Sequence, residues 1–316
     1  MSNKKIIAVI GATGAQGGGL VHAILADKSG EFAVRAITRN PESEKAKALG
    51  KLGAEVVAAD IDDVESLKKA FAGAYGVYCV TFYWDHFSPE KEREEARNMA
   101  QAAKAVGVKH VIWSTLEDTR KWVPLDDDRM PTLQEKYKVP HLDGKGEANQ
   151  EFIDADVPTT FLLTSFYWDN FINLGMGPKS NGDGSMALTL PMGDKKLPGI
   201  ASEDIGKCAL GIFKKGSEYI GKTVGISGDQ LTGEQMAAAF SKALGQKVSY
   251  NAVEPDVYRS FDFPGADDIG NMFQFKRDFE DYYCGARSLE RSRALNPELL
   301  SFSDWLAKYK DRIPVE

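Results

Sequence analysis

The chain of 316 residues predicts an α/β fold of the Rossmann type, a doubly wound parallel sheet with a smaller α+β lobe toward its C-terminus. Three observations carry that prediction. Short β-branched runs alternate with segments of helical period through the first half, a glycine-rich turn follows the first run, and the alternation stops after Ser165 in a stretch punctuated by Pro and Gly.

The first run, IIAVIG at 6–11, leads directly into GATGAQGGG, which sets Gly11, Gly14 and Gly17 at GxxGxxG spacing. A tight strand-to-helix turn needs residues without Cβ, a pyrophosphate needs close backbone approach, and a helix start offers free N–H groups with partial positive charge. Because the motif sits between a strand and a helix, Gly11, Thr13, Gly14, Ala15, Gln16 and Gly17 are candidate phosphate-binding residues.

The second run, AVRAITR at 33–39, decides the cofactor. Folds that prefer NAD usually carry an acid about 20 residues beyond the glycines. Here stand Thr38 and Arg39 with no acid, and Arg39 presents a planar, permanently charged fork suited to an adenosine 2′-phosphate. One charge-assisted hydrogen bond of about 1.5–3 kcal/mol gives roughly tenfold to hundredfold selectivity, so the expected cofactor is NADP(H). The third run, EVVAAD at 55–60, brings Asp60 and Ile61 near the adenine; Asp60 serves equally well as a turn-former.

The fourth run, GVYCVT at 76–81, is followed by Phe82, Tyr83 and Trp84, and then by a helix at 89–107 that sets Met99, Ala102, Ala103 and Val106 beneath a charged face. The fifth, HVIWST at 110–115, ends in Ser114 and Thr115, whose hydroxyls suit either a bound carbonyl or a strand cap. The sixth, TTFLLTS at 159–165, is followed by Phe166, Tyr167 and Trp168. Ligands of open α/β sheets bind at the carboxyl ends of strands, which makes Thr81, Phe82, Tyr83, Phe166 and Tyr167 candidate walls of a nicotinamide pocket. Packing of the second lobe is the other use for these rings.

Beyond Ser165 the reading is an open connection or small hairpin, a helix at 203–214, a strand at 223–227, a helix at 232–245 opening on Thr232 with Gln235 three residues on, and a strand at 248–253. Residues 1–165, rejoined by 198–228, form the expected nucleotide-binding domain, and 166–197 with 229–316 the smaller lobe.

Short-chain reductases pair a proton-donating Tyr with a Lys four residues later, and none of the 11 tyrosines has that partner. His141 before Lys145, in HLDGKGEANQEF, is the nearest arrangement. Lys145 is placed to reach a ribose. His141, with an ordinary pKa near 6.5, is either a proton donor or a loop residue beside Pro140.

Composition bounds the partners. The net charge of −7, without a dense Lys/Arg block, argues against direct nucleic-acid or acidic-membrane binding. Cys79, Cys208 and Cys284 lie far apart, which suits a reducing compartment. The opening apolar run is too short for a signal h-region, so a soluble cytoplasmic protein is expected. The four histidines lack metal-ligand spacing, and no metal is expected.

GATGAQGG, VRAITRNP, GAEVVAADIDD, HLDGKGE and FDFPGADDIGNMFQF together resemble the NmrA-like branch of the atypical short-chain dehydrogenases/reductases, nearest to its HSCARG-like redox sensors, over nearly the whole chain. The resemblance implies NADP(H) binding, sensing of the NADPH/NADP balance, and transcriptional or signalling regulation through a protein partner in cytoplasm and nucleus, as monomer or homodimer, without efficient dehydrogenase activity. It matches Gly11, Thr13, Gly14, Gln16 and Gly17 to the phosphate turn, Arg39 to the 2′-phosphate contact and Lys145 to the ribose-side lysine. Relatives resembling isoflavone reductases reduce substrates with a lysine and no tyrosine. An NADPH-dependent reductase of quinone, carbonyl or phenolic substrates using Lys145 is therefore the alternative.

Overall fold

In the computed structural model, which describes residues 4–314, the six apolar runs become β1 (Lys5–Val9), β2 (Phe32–Thr38), β3 (Glu55–Ala58), β4 (Gly76–Cys79), β5 (His110–Thr115) and β6 (Thr159–Leu163). Between them lie α1 (Ala15–Ala26), α2 (Glu44–Lys51), α3 (Val64–Phe71), α4 (Pro89–Ala105) and α5 (Pro140–Asp154). Their starts follow local chemistry. Ser43, Asp63 and Ser88 cap α2, α3 and α4 through their side chains, and Pro opens α4 and α5 where a missing N–H costs nothing.

The rest of the chain forms β7 (Phe166–Tyr167), α6 (Asn170–Asn173), β8 (Lys179–Ser180), β9 (Met186–Leu190), β10 (Lys196–Ile200), α7 (Ser202–Lys214), β11 (Thr223–Gly225), β12 (Asp229–Thr232), α8 (Gly233–Leu244) and β13 (Val248–Ala252). Five further helices follow: α9 (Pro255–Arg259), α10 (Ala266–Asp278), α11 (Glu280–Ala286), α12 (Leu289–Leu295) and α13 (Phe302–Tyr309).

The main sheet runs β3-β2-β1-β4-β5-β6-β11 with every pair parallel. Order reverses between β1 and β4, which opens a crevice at their carboxyl ends. One face is covered by α1 and α7, with Ile205 packed among Ile7, Val9, Tyr78 and Ile112 of the strands, and the other by α3, α4 and α5, with Phe71, Met99 and Phe152 among Ala8 and Trp113. Helix α7 lies directly on α1, because a Cβ at Gly206 would stand 2.1 Å from the Leu20 nitrogen.

Two smaller sheets, β12-β10-β7 and β13-β9-β8, belong to a lobe whose core is rich in aromatic rings, among them Phe166, Trp168, Phe171, Phe240, Phe273, Phe302 and Trp305. Within 198–228, β11 extends the main sheet and α7 covers it, while Pro198–Ile200 belongs to β10 of the lobe sheet. The stretch expected to be irregular holds the β8–β9 hairpin and the strand β10. Pro198 and Gly199 look like strand breakers, yet a Cβ at Gly199 would meet Trp168 Nε1 at 2.1 Å, so this strand needs a glycine beneath the indole.

Candidate functional site

The glycine turn is built by exclusion. Gly11 has φ +65°, a Cβ on Gly17 would fall 2.4 Å from the Gly11 carbonyl oxygen, and one on Gly14 would fall 3.2 Å from the same atom. Gly14 N–H donates to Gly11 O at 2.9 Å and Ala12 N–H to Ile37 O at 3.3 Å, which ties the turn to β2. Gly14 is the N-cap of α1 without a side-chain cap, and no acid occupies the first helical turn. Gly11, Gly14 and Ala15 are exposed. An uncapped helix start behind an exposed, Cβ-free cradle fits a pyrophosphate.

Gln16 turns inward instead. Its Nε2 donates to Tyr167 Oη at 2.7 Å, and its Oε1 accepts from Tyr78 Oη at 2.6 Å and Ser114 Oγ at 2.7 Å. Ser114, a candidate for a bound carbonyl, is thus committed to the turn, and Thr115 donates to Lys145 O at 3.0 Å. Burial pushes the Tyr78 phenol up, and the Tyr167 phenol to about 12.

Arg39 leaves the end of β2 with its side chain 75% exposed, and its single ionic partner among the described residues is Asp85 at 3.4 Å. Asp60 takes the turn role: its Oδ1 accepts from Asp62 N–H at 3.0 Å, and Asn98 donates to Ile61 O at 3.0 Å beside it.

Lys145 sits in the second turn of α5. Its Nζ is 2.8 Å from Glu92 Oε1, 2.5 Å from Thr81 Oγ1 and 3.2 Å from Thr81 O, above the Trp113 ring. Thr81 in turn donates to Glu92 at 2.7 Å. Glu92 is fully buried. The glutamates of PEKEREEAR read as a solvated face; the available signal was that Glu92 and Glu95 share the helical stripe of Met99 and Ala103. Burial, with Glu92 nearby, raises the Glu95 carboxyl to about 7.

His141 is no loop residue. It lies buried in the first turn of α5, with Nδ1 2.6 Å from Asp268 Oδ1 and its backbone N–H donating to Asp268 Oδ2 at 3.1 Å. Its ring lies 5.0 Å from Trp84 and 6.0 Å from Tyr83, between centroids. Tyr83 is buried, its oxygen accepts from Gln134 at 3.2 Å, and burial raises its pKa. Phe82 is 59% exposed. Phe166 sits inside the lobe core against Phe171 and Phe273, so its ring packs the lobe and does not wall the crevice. Among the described residues, no group of three His, Cys, Asp or Glu side chains is arranged to hold a metal ion. No helix there is long and apolar enough to cross a membrane.

The strand order, the cradle before α1 and the lysine on the helix after β5 define a protein of the Rossmann-type α/β class. The NmrA-like family model matches residues 3–308, and the chain belongs to that family. It is 32% identical to an NmrA-like family domain-containing protein of Dictyostelium discoideum over 97% of this chain and 98% of that one. It is 30% identical to the NmrA-like family domain-containing oxidoreductase FrzB of Cladobotryum over 85% and 83%. Among solved structures, NmrA, a negative transcriptional regulator in complex with NADP, matches with a TM-score of 0.79 at 23% identity over 97% and 95% of the two chains. The Citrobacter triphenylmethane reductase complexed with NADP(H) matches at 0.74 and 22% over 96% and 99%.

Proposed function

We propose that this protein is an NADP(H)-binding regulator that reads the NADPH/NADP balance and acts through a protein partner. The observation that carries the reading is a complete phosphate cradle beside a crevice without an activated phenol. Tyr78, Tyr83 and Tyr167 have pKa values raised by burial, the opposite of what a proton-donating tyrosine needs. The turn from Gly11 to Gly17 would hold the pyrophosphate, Arg39 the 2′-phosphate and Lys145 the nicotinamide-side ribose. The NADP-bound NmrA and the NADP(H)-bound reductase with the same fold support the cofactor.

A route from turn to lobe supports the sensing part. Gln16 bonds Tyr167 of β7, β7 pairs with β10 through Phe166 and Gly199, and β10 pairs with β12. A ligand shifts a conformational balance only through different affinity for its two states, and this route gives an occupied turn something to bias.

One feature favours a second reading, an NADPH-dependent reductase: the His141–Asp268 pair, in which a carboxylate orients an imidazole beside Tyr83 and Trp84. The fungal relatives named as oxidoreductases lend it weight. Fluorescence titration with NADPH, followed by NADPH oxidation over a panel of quinones and carbonyl compounds, separates the readings. Micromolar binding without turnover is expected. Steady turnover, lost in Lys145→Ala while binding persists, would establish the reductase.

A further inference from the structure

Behind Lys145 lies a pocket of polar atoms that the cradle does not use. Glu92 Oε2, Glu95 Oε2 and His86 Nε2 are all buried without a hydrogen-bond partner. Native interiors leave few such atoms, and here three gather between the start of α4 and the loop before it. Burial is graded along the cluster: Glu92 is 0% exposed, Glu95 6%, and the His86 side chain 20%. Ser88 N–H donates to His86 Nδ1 at 3.0 Å, so the neutral ring carries its proton on Nε2, which faces Glu95 Oε1 at 3.8 Å.

We propose that Glu95 is a proton store beneath the cofactor site, with His86 placed to stabilise its carboxylate, so that binding the oxidised cofactor releases a proton and binding the reduced one does not. The inference rests on the reading that Lys145 holds the nicotinamide-side ribose. A buried carboxyl stays protonated when nothing offsets its charge. Glu95 faces the carboxylates of Glu92 on its own helix and Asp62 before α3, against the cations Lys91 and Lys145; Lys145 is already bonded to Glu92. An oxidised nicotinamide ring adds one positive charge on the Lys145 side, and NADPH adds none. The added charge favours ionised Glu95. Its O–H bond breaks, the proton passes to bulk buffer, and His86 Nε2–H turns to donate to the carboxylate left behind. The raised Glu95 pKa, about 7, puts this exchange at neutral pH.

Calorimetric titration of the full chain with NADP+ and with NADPH, at about pH 6, 7 and 8 in two buffers of different ionisation enthalpy, counts the protons. NADP+ is expected to release a substantial fraction of one proton near pH 7 and NADPH far less. The affinity for NADP+ relative to NADPH then rises by roughly fivefold from pH 6 to 8 for a one-unit shift. Glu95→Gln, which keeps the shape of the neutral acid, should bind both forms while losing the differential release and flattening the ratio. If that variant does not fold, the wild-type series decides alone. Equal proton release for both forms, or unchanged differential release in Glu95→Gln, overturns the store. Absence of binding to either form sinks the nucleotide assignment itself.

Discussion

Arg39 shows how a single side chain sets cofactor choice. An ion pair as exposed as Arg39–Asp85 contributes little to stability, and the guanidinium is available to a better acceptor. A 2′-phosphate offers doubly charged, bidentate geometry. Arg39→Asp is expected to weaken NADPH roughly tenfold to hundredfold while leaving NADH nearly unchanged by calorimetry, and equal losses would refute the assignment. Gly17→Ala tests the cradle separately. Its new methyl group would sit 2.4 Å from the Gly11 carbonyl oxygen, so the turn must open, and NADPH and NADH should both lose at least tenfold in the same titration. Unchanged binding would place the phosphates elsewhere. Both residues are legible in sequence because a turn needing glycine and a phosphate needing Arg are local demands. The partners of Lys145 and His141 are not. Asp268 lies 127 residues from His141, and Glu92 sits in a run of charges that local pattern assigns to solvent.

Elements divide the same way. Strands β4, β5 and β6 are buried on both faces and read as apolar runs, and α2, α3 and α4 carry side-chain caps at their starts. Helix α10 escaped because polar side chains share its inward face with Met272, Phe273 and Phe275. Asn271, Gln274 and Lys276 of α10 are buried, and Asn271 donates to Pro131 O and Lys138 O, satisfying a loop of the first domain. One tie between the lobes is a buried ion pair. Arg287, after α11, reaches Glu117 in two bonds of 2.7 and 3.0 Å, donates to Thr164 O at 2.8 Å and lies 3.6 Å from the Tyr283 ring centre. Both residues are buried, so removing one partner strands a charge. Glu117→Ala should destabilise the fold by about 3–5 kcal/mol in urea denaturation, and Glu117→Leu with Arg287→Met should recover most of that loss. Additive losses in the double variant would show that the two side chains act independently.

At the scale of the whole molecule, three buried titrating groups shape stability between about pH 4 and 8, two of them in opposition. Burial lowers His110 from 6.5 to about 4, so the unfolded chain binds the extra proton between those values and stability falls as pH drops through them. Glu95, raised by burial from 4.5 to about 7, works in the opposite direction over most of the same range, since the folded form holds the proton and gains as pH falls. The two contributions offset each other between about pH 4.5 and 6.5. From pH 7 to about 8 Lys276 acts without such an opponent; at higher pH the thiols of Cys79, Cys208 and Cys284, which burial holds above the usual 9, ionise first in the unfolded chain and work against it. Burial, with Arg287 beside it and only Glu117 in opposition, lowers its ammonium from 10.5 to about 7 within a ring of Phe166, Phe273 and Tyr283. Below pH 7 both folded and unfolded chains protonate it and the full burial cost applies. From about 7 toward 10 only the unfolded chain holds that proton, so the Lys276 contribution climbs with pH, and between 7 and 8 it sets the slope of stability. Urea midpoints measured from pH 6 to 8 are expected to rise above pH 7 in the wild type. Lys276→Met, which fills the same volume without a charge, should start higher at pH 7 and stay flat. A wild-type midpoint that falls above pH 7, or a slope that survives in Lys276→Met, would show that Lys276 is not the group that titrates.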